Sequence, residues 1–274
     1  MDNRKMILIT GAAGGLGKAF AVECASRGWY LLLTDRDAAA LETLADGLSR
    51  AYGVLTWTHA CDLTDAGQRG RLFDQIHAEG LRFGMLINVA GIDHEGLFYE
   101  QSGAQIQSIV QLNVAATLAM SHAILPYRDL NTPFHLINVS SLAAFYPMPV
   151  KATYAATKRF LLDFSLALRE EVRGLGVSVT VLCPAGMPTN AECRRAIAAQ
   201  GLAGQITTLD VGRVANQTLD AALAGRAVVI PGGVNRALRV LGGLLPPRWV
   251  AALIGNRWNA VHRKRNLHGT LRTA

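Results

Sequence analysis

Tyr154 and Lys158, in Tyr154-Ala155-Ala156-Thr157-Lys158, are the first residues of this chain whose types and spacing suit chemistry. Four positions apart on a helix they share a face, so a phenol and an ammonium address one site. A free phenol has a pKa of about 10 and is a poor base near neutrality, and a neighbouring cation favours the phenolate. The pair gains weight from Ser140-Ser141, which closes an apolar run thirteen residues before Tyr154. That places the two serines at the C-terminal edge of a sheet, where α/β folds bind ligands.

A second constellation lies at the start. Thr10-Gly11-Ala12-Ala13-Gly14-Gly15-Leu16-Gly17 follows a short apolar run and opens a helical pattern. Glycines let the backbone turn tightly and approach a pyrophosphate, while a helix N-terminus offers free N–H groups and the positive end of a dipole. The spacing is GxxxGxG, and Gly11, Gly15, Leu16 and Gly17 are its candidate cofactor contacts. Asp35 ends the second apolar run, 24 residues after Gly11, near the ~20-residue offset at which a carboxylate accepts the adenosine ribose hydroxyls. A carboxylate there repels a 2′-phosphate and favours NAD over NADP; Arg36 is the countersign, since it could pair with that phosphate. Asp62, with Leu63, is placed either to meet the adenine or to serve as an N-cap or turn residue.

These residues need a scaffold. Met6 to Thr10, Tyr30 to Thr34, Val54 to Trp57, Met85 to Asn88, Phe134 to Val139, Val177 to Cys183 and Val228 to Ile230 read as strands, being short, apolar and bounded by turn residues. Helical patterns over Gly17 to Arg27, Ala39 to Ala51, Asp65 to Ala78, Ser102 to Leu125 and Tyr154 to Leu175 separate them. Strands apolar on both faces and alternating with helices predict an α/β fold, a doubly wound parallel sheet of Rossmann type. It is expected as one catalytic domain over residues 1–230, followed by a helical extension over residues 231–274.

Composition excludes other classes. Half of the 274 residues are apolar and 17% are charged, with a mean hydropathy of +0.22, which suits a globular chain. The four cysteines form no CxxC pair and the seven histidines no paired-ligand spacing, so neither a disulfide framework nor a metal site is expected. The opening Met6 to Thr10 run is too short for a signal peptide. No uninterrupted apolar stretch approaches the roughly 18 residues of a membrane span. A cytoplasmic setting is expected.

The Ser141, Tyr154 and Lys158 set behind the glycine loop resembles the short-chain dehydrogenase/reductase family, from about Met6 to Thr189. The resemblance implies an NAD(P)-dependent enzyme that interconverts a secondary alcohol and a ketone. It implies Ser141 as the hydroxyl on the substrate oxygen, Tyr154 as general acid/base, Lys158 as the residue on the nicotinamide ribose, and Asn113 as the holder of a relay water. Asn88-Val89-Ala90-Gly91 resembles the family's Asn-Asn-Ala-Gly, with Val89 in place of an asparagine, and contributes Asn88, Ala90 and Gly91 to the cofactor site. Pro184-Ala185-Gly186-Met187-Pro188-Thr189 resembles the Pro-Gly stretch after the sixth strand, with Pro184, Gly186 and Thr189 on the cofactor. The helices Ser102 to Leu125 and Tyr154 to Leu175 resemble subunit-pairing helices, implying a homodimer or homotetramer. Leu97, Phe98, Phe145 to Met148 and a lid over Met187 to Thr208 are apolar candidate pocket walls, which suits a lipophilic substrate. A non-catalytic dinucleotide-binding sensor or scaffold on the same fold is the alternative.

The net charge of +7 is unevenly placed. Residues 1–220 carry 18 Lys/Arg against all 20 Asp/Glu, and residues 221–274 carry nine Lys/Arg and no acid. Val234, Ala237, Leu238, Leu241 and Leu245 form a helical stripe, and a less regular one follows Pro246-Pro247, with Val250, Leu253, Ile254, Trp258 and Val261. Three readings of this tail stand: peripheral contact with a membrane surface, a cover over the substrate pocket, or a subunit interface. Nucleic acid is not an expected partner, since Arg263-Lys264-Arg265 is a run of only three.

Overall fold

The computed structural model describes residues 5–189 and 207–256. Seven parallel strands form one sheet: β1 (Met6–Thr10), β2 (Tyr30–Asp35), β3 (Thr56–Ala60), β4 (Met85–Asn88), β5 (Phe134–Val139), β6 (Val177–Leu182) and β7 (Val228–Val229). Their order is β3-β2-β1-β4-β5-β6-β7. The order reverses at β1, so the crevice for a ligand opens beyond the C-terminal ends of β1 and β4.

Alternation along the strands divides the core in two. Ile7, Ile9, Leu31 and Leu33 face one layer with Phe20, Leu41, Val214 and Leu219, while Leu8, Leu32, Leu86 and Leu136 face the other with Leu72, Ile76, Met120 and Ile124. Covered on both faces, the central strands read as unbroken apolar runs. The edge strand β3 differs: it spans Thr56–Ala60 rather than Val54 to Trp57. Val54 is buried, but it follows Gly53, whose left-handed φ of 64° ends the preceding helix. The ladder then runs through half-buried Thr56, Thr58 and His59, whose polarity hid it.

The flanking helices are α1 (Gly15–Ser26), α2 (Ala38–Tyr52), α3 (Ala66–Ala78), α4 (Gly103–Val110), α5 (Thr117–Ile124), α6 (Ala152–Glu171), α7 (Val211–Leu223) and α8 (Gly233–Gly243). Side-chain caps start several of them. Asp37 accepts from Ala40 N–H on α2, Asp65 accepts from Gly67 and Gln68 N–H on α3, and Ser102 with Gln105 forms a capping box on α4.

α4 and α5 are joined by a π-helical turn, Gln111–Ala116, so the expected single α-helix changes pitch at its middle. Together they give a continuous helix, Gly103–Tyr127, that is long and apolar enough to cross a bilayer by length and composition. Ile109, Ala116, Met120 and Ile124 are nevertheless buried within the protein. α6 stops at Glu171, and a short 3₁₀ turn, Arg173–Leu175, leads to Gly176 in the left-handed region. Beyond β7 come α8 and, after Pro246, a helix over residues 247–256. The rest of the tail lies outside the described residues.

Candidate active site

The glycine loop is built by close backbone approach. Gly11 has φ of 64°, and a Cβ there would stand 2.8 Å from the backbone of Ala90. A Cβ on Gly15 would stand 2.7 Å from the Thr189 carbonyl oxygen, and one on Gly17 only 2.0 Å from that of Gly11. The three glycines therefore bring the loops after β1, β4 and β6 together over the α1 N-terminus. Thr10 Oγ1 accepts from Val89 and Ala90 N–H at 3.1 and 3.3 Å, tying the same two strand ends. Leu16 is buried in the core, so it anchors the helix and can offer only its backbone outward.

Asp35 belongs to this cradle: its Oδ2 accepts from Ala13 N–H at 3.1 Å and its Oδ1 from Asp37 N–H at 3.3 Å. Arg36 points to solvent. Asp62 sits at the next strand end, where its Oδ1 accepts from the Thr64 amide and hydroxyl, and that hydroxyl chiefly holds the carboxyl below the usual range. Of its two sequence readings the turn is visible directly, while the α3 cap is Asp65. Leu63 is buried against the second core layer.

Around the chemistry, roles separate between neighbours. Ser140 is buried and its hydroxyl donates to the Lys158 carbonyl at 2.6 Å, which fastens α6 to the end of β5. Ser141 stays partly accessible; its Oγ accepts from Ala143 N–H at 3.1 Å, leaving the hydroxyl proton to give. The Lys158 ammonium lies 5.6 Å from the Tyr154 ring centre and donates to the Val139 carbonyl at 2.9 Å. Burial lowers its pKa to about 8, opposed by the field of Asp93. Cys183, close by, has its thiol pushed up to about 12 by burial and so stays protonated.

Asn113 lies on the π turn, buried. Its two amide hydrogens go to the Ile92 carbonyl at 2.9 Å and Thr157 Oγ1 at 3.2 Å, and its Oδ1 accepts from Ile92 N–H at 2.8 Å. The side chain thus joins the loop after β4 to α6, and both amide hydrogens are taken. Asn88 is also internal, donating to Asn138 Oδ1 and Ser121 Oγ. Gly91 faces the site: a Cβ there would meet Asn113 Oδ1 at 3.1 Å and Lys158 Nζ at 3.3 Å. Val89 replaces the expected amide with apolar packing against the first core layer. Pro184 is buried and Gly186 exposed at the far loop, where the Pro184 carbonyl accepts from Leu142 N–H.

Sequence reasoning passed over a second cation. Lys151, one residue before α6, bonds Asp93 and, at 3.1 Å, Glu95, and lies 5.8 Å from the Tyr154 ring centre. The adjoining Val150 has φ of 61°, an unusual conformation for a β-branched residue, and its carbonyl accepts from Gly96 N–H at 2.9 Å. Residues 93–96 and 150–151 are thereby zipped beside Tyr154. Only the position of Lys151, three residues before Tyr154, hinted at this. Leu97 and Phe145 to Met148 are mostly half-buried and Phe98 is exposed; most of the expected lid, residues 190–206, lies outside the described residues. No cluster of metal ligands occurs among the described residues.

A family model described as short chain dehydrogenase matches residues 5–198. The very-long-chain 3-oxoacyl-CoA reductase of Laccaria bicolor is 34% identical over 174 residues, 63% of this chain and 52% of that protein. The 17-beta-hydroxysteroid dehydrogenase type 3 of Mus musculus is 32% identical over 187 residues, 66% of this chain and 60% of that protein. The chain therefore spans little more than half the length of these relatives. A short-chain dehydrogenase from Sphingobium yanoikuyae solved with NADPH superimposes with a TM-score of 0.75 at 27% identity, covering 88% of this chain and 96% of that one.

Proposed function

The chain belongs to the short-chain dehydrogenase family, and from that premise we propose that it is an NAD(P)-dependent oxidoreductase that interconverts a lipophilic secondary alcohol and its ketone. The observation that carries this reading is the convergence of Lys158, Tyr154 and the accessible Ser141 beside a three-glycine cradle at one end of the sheet.

The cradle fits a dinucleotide, because Gly11, Gly15 and Gly17 leave the α1 N-terminus open where any side chain would collide with backbone. Gly11, Gly15, Leu16, Gly17, Asn88, Ala90, Gly91, Pro184, Gly186 and Thr189 would hold it, with Asp62 and Leu63 toward the adenine. Asp35, already inside the cradle, would take the ribose hydroxyls, which favours NAD over NADP. The bound nicotinamide supplies or accepts the hydride. Tyr154 moves the hydroxyl proton, Ser141 donates to the substrate oxygen, and the Lys158 ammonium stabilises the phenolate and binds the nicotinamide ribose. Asn113 holds the loop after β4 in register with α6, beside the place a relay water would take.

The relatives' names, and the apolar side chains of Leu97, Phe98, Phe145 and Met148, support a lipophilic substrate. The exposed Phe160, stacked on Phe164 along the outer side of α6, supports pairing into a homodimer or homotetramer. The proposed setting is the cytoplasm, with residues 231–274 forming an extension that touches membrane. A panel of long-chain, steroidal and small polar alcohols and ketones, assayed with NAD(H) and NADP(H), tests the reading. Turnover restricted to small polyols would defeat the lipophilic assignment.

A further inference from the structure

α8 and the helix over residues 247–256 present an apolar surface that the rest of the described protein does not cover. Leu238 is 42% exposed, Leu241 61%, Leu244 76%, Trp249 57% and Leu253 63%. Of the residues of α8, only Asn235 is buried; its side-chain amide donates to the Pro231 carbonyl at 2.9 Å and the Thr207 carbonyl at 3.1 Å.

The pair of helices does not hang loose. The Tyr146 hydroxyl donates to the Leu238 carbonyl at 2.6 Å, and a Cβ on Gly242 would stand 2.3 Å from the Tyr146 ring. The Arg239 guanidinium lies 5.0 Å over the Phe145 ring, and a Cβ on Gly255 would stand 3.3 Å from Pro149. The inward side of both helices is thus seated on the segment that runs from Ser141 to Tyr154, and the apolar side faces away from it.

We infer that this outward face docks into the interface of an anionic lipid bilayer, lying in its plane and holding the Ser141–Tyr154 segment at the membrane surface. Charge decides between the possible occupants. The two helices carry Arg236, Arg239 and Arg248 and no acid, so a second copy meeting the same face about a two-fold axis would set a basic surface against its own image, with no acid in either helix to pair it. An anionic headgroup layer complements the charge, while Trp249 and the leucines enter the acyl boundary. Docking itself is independent of the proposed activity. The delivery of a lipophilic substrate from the bilayer rests on that activity.

The full chain is sedimented with phosphatidylcholine vesicles and with phosphatidylcholine/phosphatidylserine vesicles, at low and high salt. It should pellet with the anionic vesicles at least about tenfold better than with the neutral ones, and less well at high salt. Leu241→Gln combined with Trp249→Gln removes apolar area without changing charge; it should reduce pelleting about tenfold and leave turnover of a water-soluble alcohol unchanged. Equal pelleting by wild type and variant, or none with anionic vesicles, overturns the inference. So does light scattering that shows a dimer in the wild type and a monomer in the variant, which would make the face a subunit interface. Vesicle binding as described with no alcohol or ketone turned over would refute the proposed activity and leave docking standing.

Discussion

The Ala13 N–H donates to Asp35 Oδ2 at 3.1 Å, so the glycine loop and the end of β2 are one hydrogen-bonded unit. With the cofactor in the proposed place, the Asp35 carboxylate would repel a 2′-phosphate. Asp35→Ser, with Arg36 retained, should move the NADP-to-NAD ratio of kcat/KM at least about tenfold toward NADP, roughly 1.4 kcal/mol. Steady-state kinetics with both cofactors checks it; an unchanged ratio would remove Asp35 from cofactor choice.

Tyr154→Phe should lower kcat by about 10²- to 10⁴-fold, the range general acid/base groups contribute. Cofactor affinity, read by fluorescence titration, should stay within a few-fold of wild type. Ser141→Ala should also lower kcat without melting the fold, whereas Ser140→Ala should reduce stability, because the Ser140 hydroxyl fastens α6 to β5. A stability loss confined to Ser141→Ala would reverse those assignments.

Lys158 carries a pH signature. Its pKa falls from 10.5 to about 8 on burial, so between these values the unfolded chain binds a proton that the folded chain does not, and stability rises with pH across that window. Below pH 8 the buried ammonium costs up to roughly 3 kcal/mol. Lys158→Met should therefore raise Tm at pH 7 while abolishing turnover, and its advantage should shrink toward pH 10. Thermal melts at the two pH values decide the matter: a variant less stable at pH 7 would show that the ammonium is fully compensated in the fold.

The tie between Lys151 and its two carboxylates joins loops 58 residues apart in the chain. Breaking a half-buried pair from one side strands the other charge, so Lys151→Met should cost about 1–3 kcal/mol in urea denaturation. The same variant should raise KM more than it lowers kcat, since the tie shapes the pocket edge. A double-mutant cycle with Asp93→Asn should show coupling of about 1 kcal/mol; additivity would mean the contact is idle.

Legibility followed burial and locality. β1, β4 and β5 declare themselves because both faces are covered, and the glycine loop and the Tyr154/Lys158 pair because their spacing is local. β3 was misplaced by two residues at its start, since an edge strand tolerates Thr and His. Asn113 was legible as a candidate, but the π turn that frames it and the use of its amide hydrogens, on Ile92 and Thr157, were not, since those partners are distant in sequence. Nor could sequence show that Lys151 meets Asp93, or that Tyr146 holds α8.

The strand order has a consequence for synthesis of the chain. β1 is made first yet lies inside the sheet, paired on one side with β2 and on the other with β4. As the chain emerges, Met6–Thr10 can find β2 early, but its second edge stays bare until Met85–Asn88 is complete. For that interval the largely apolar strand presents a row of unpaired backbone N–H and C=O groups, the kind of edge on which nascent chains aggregate.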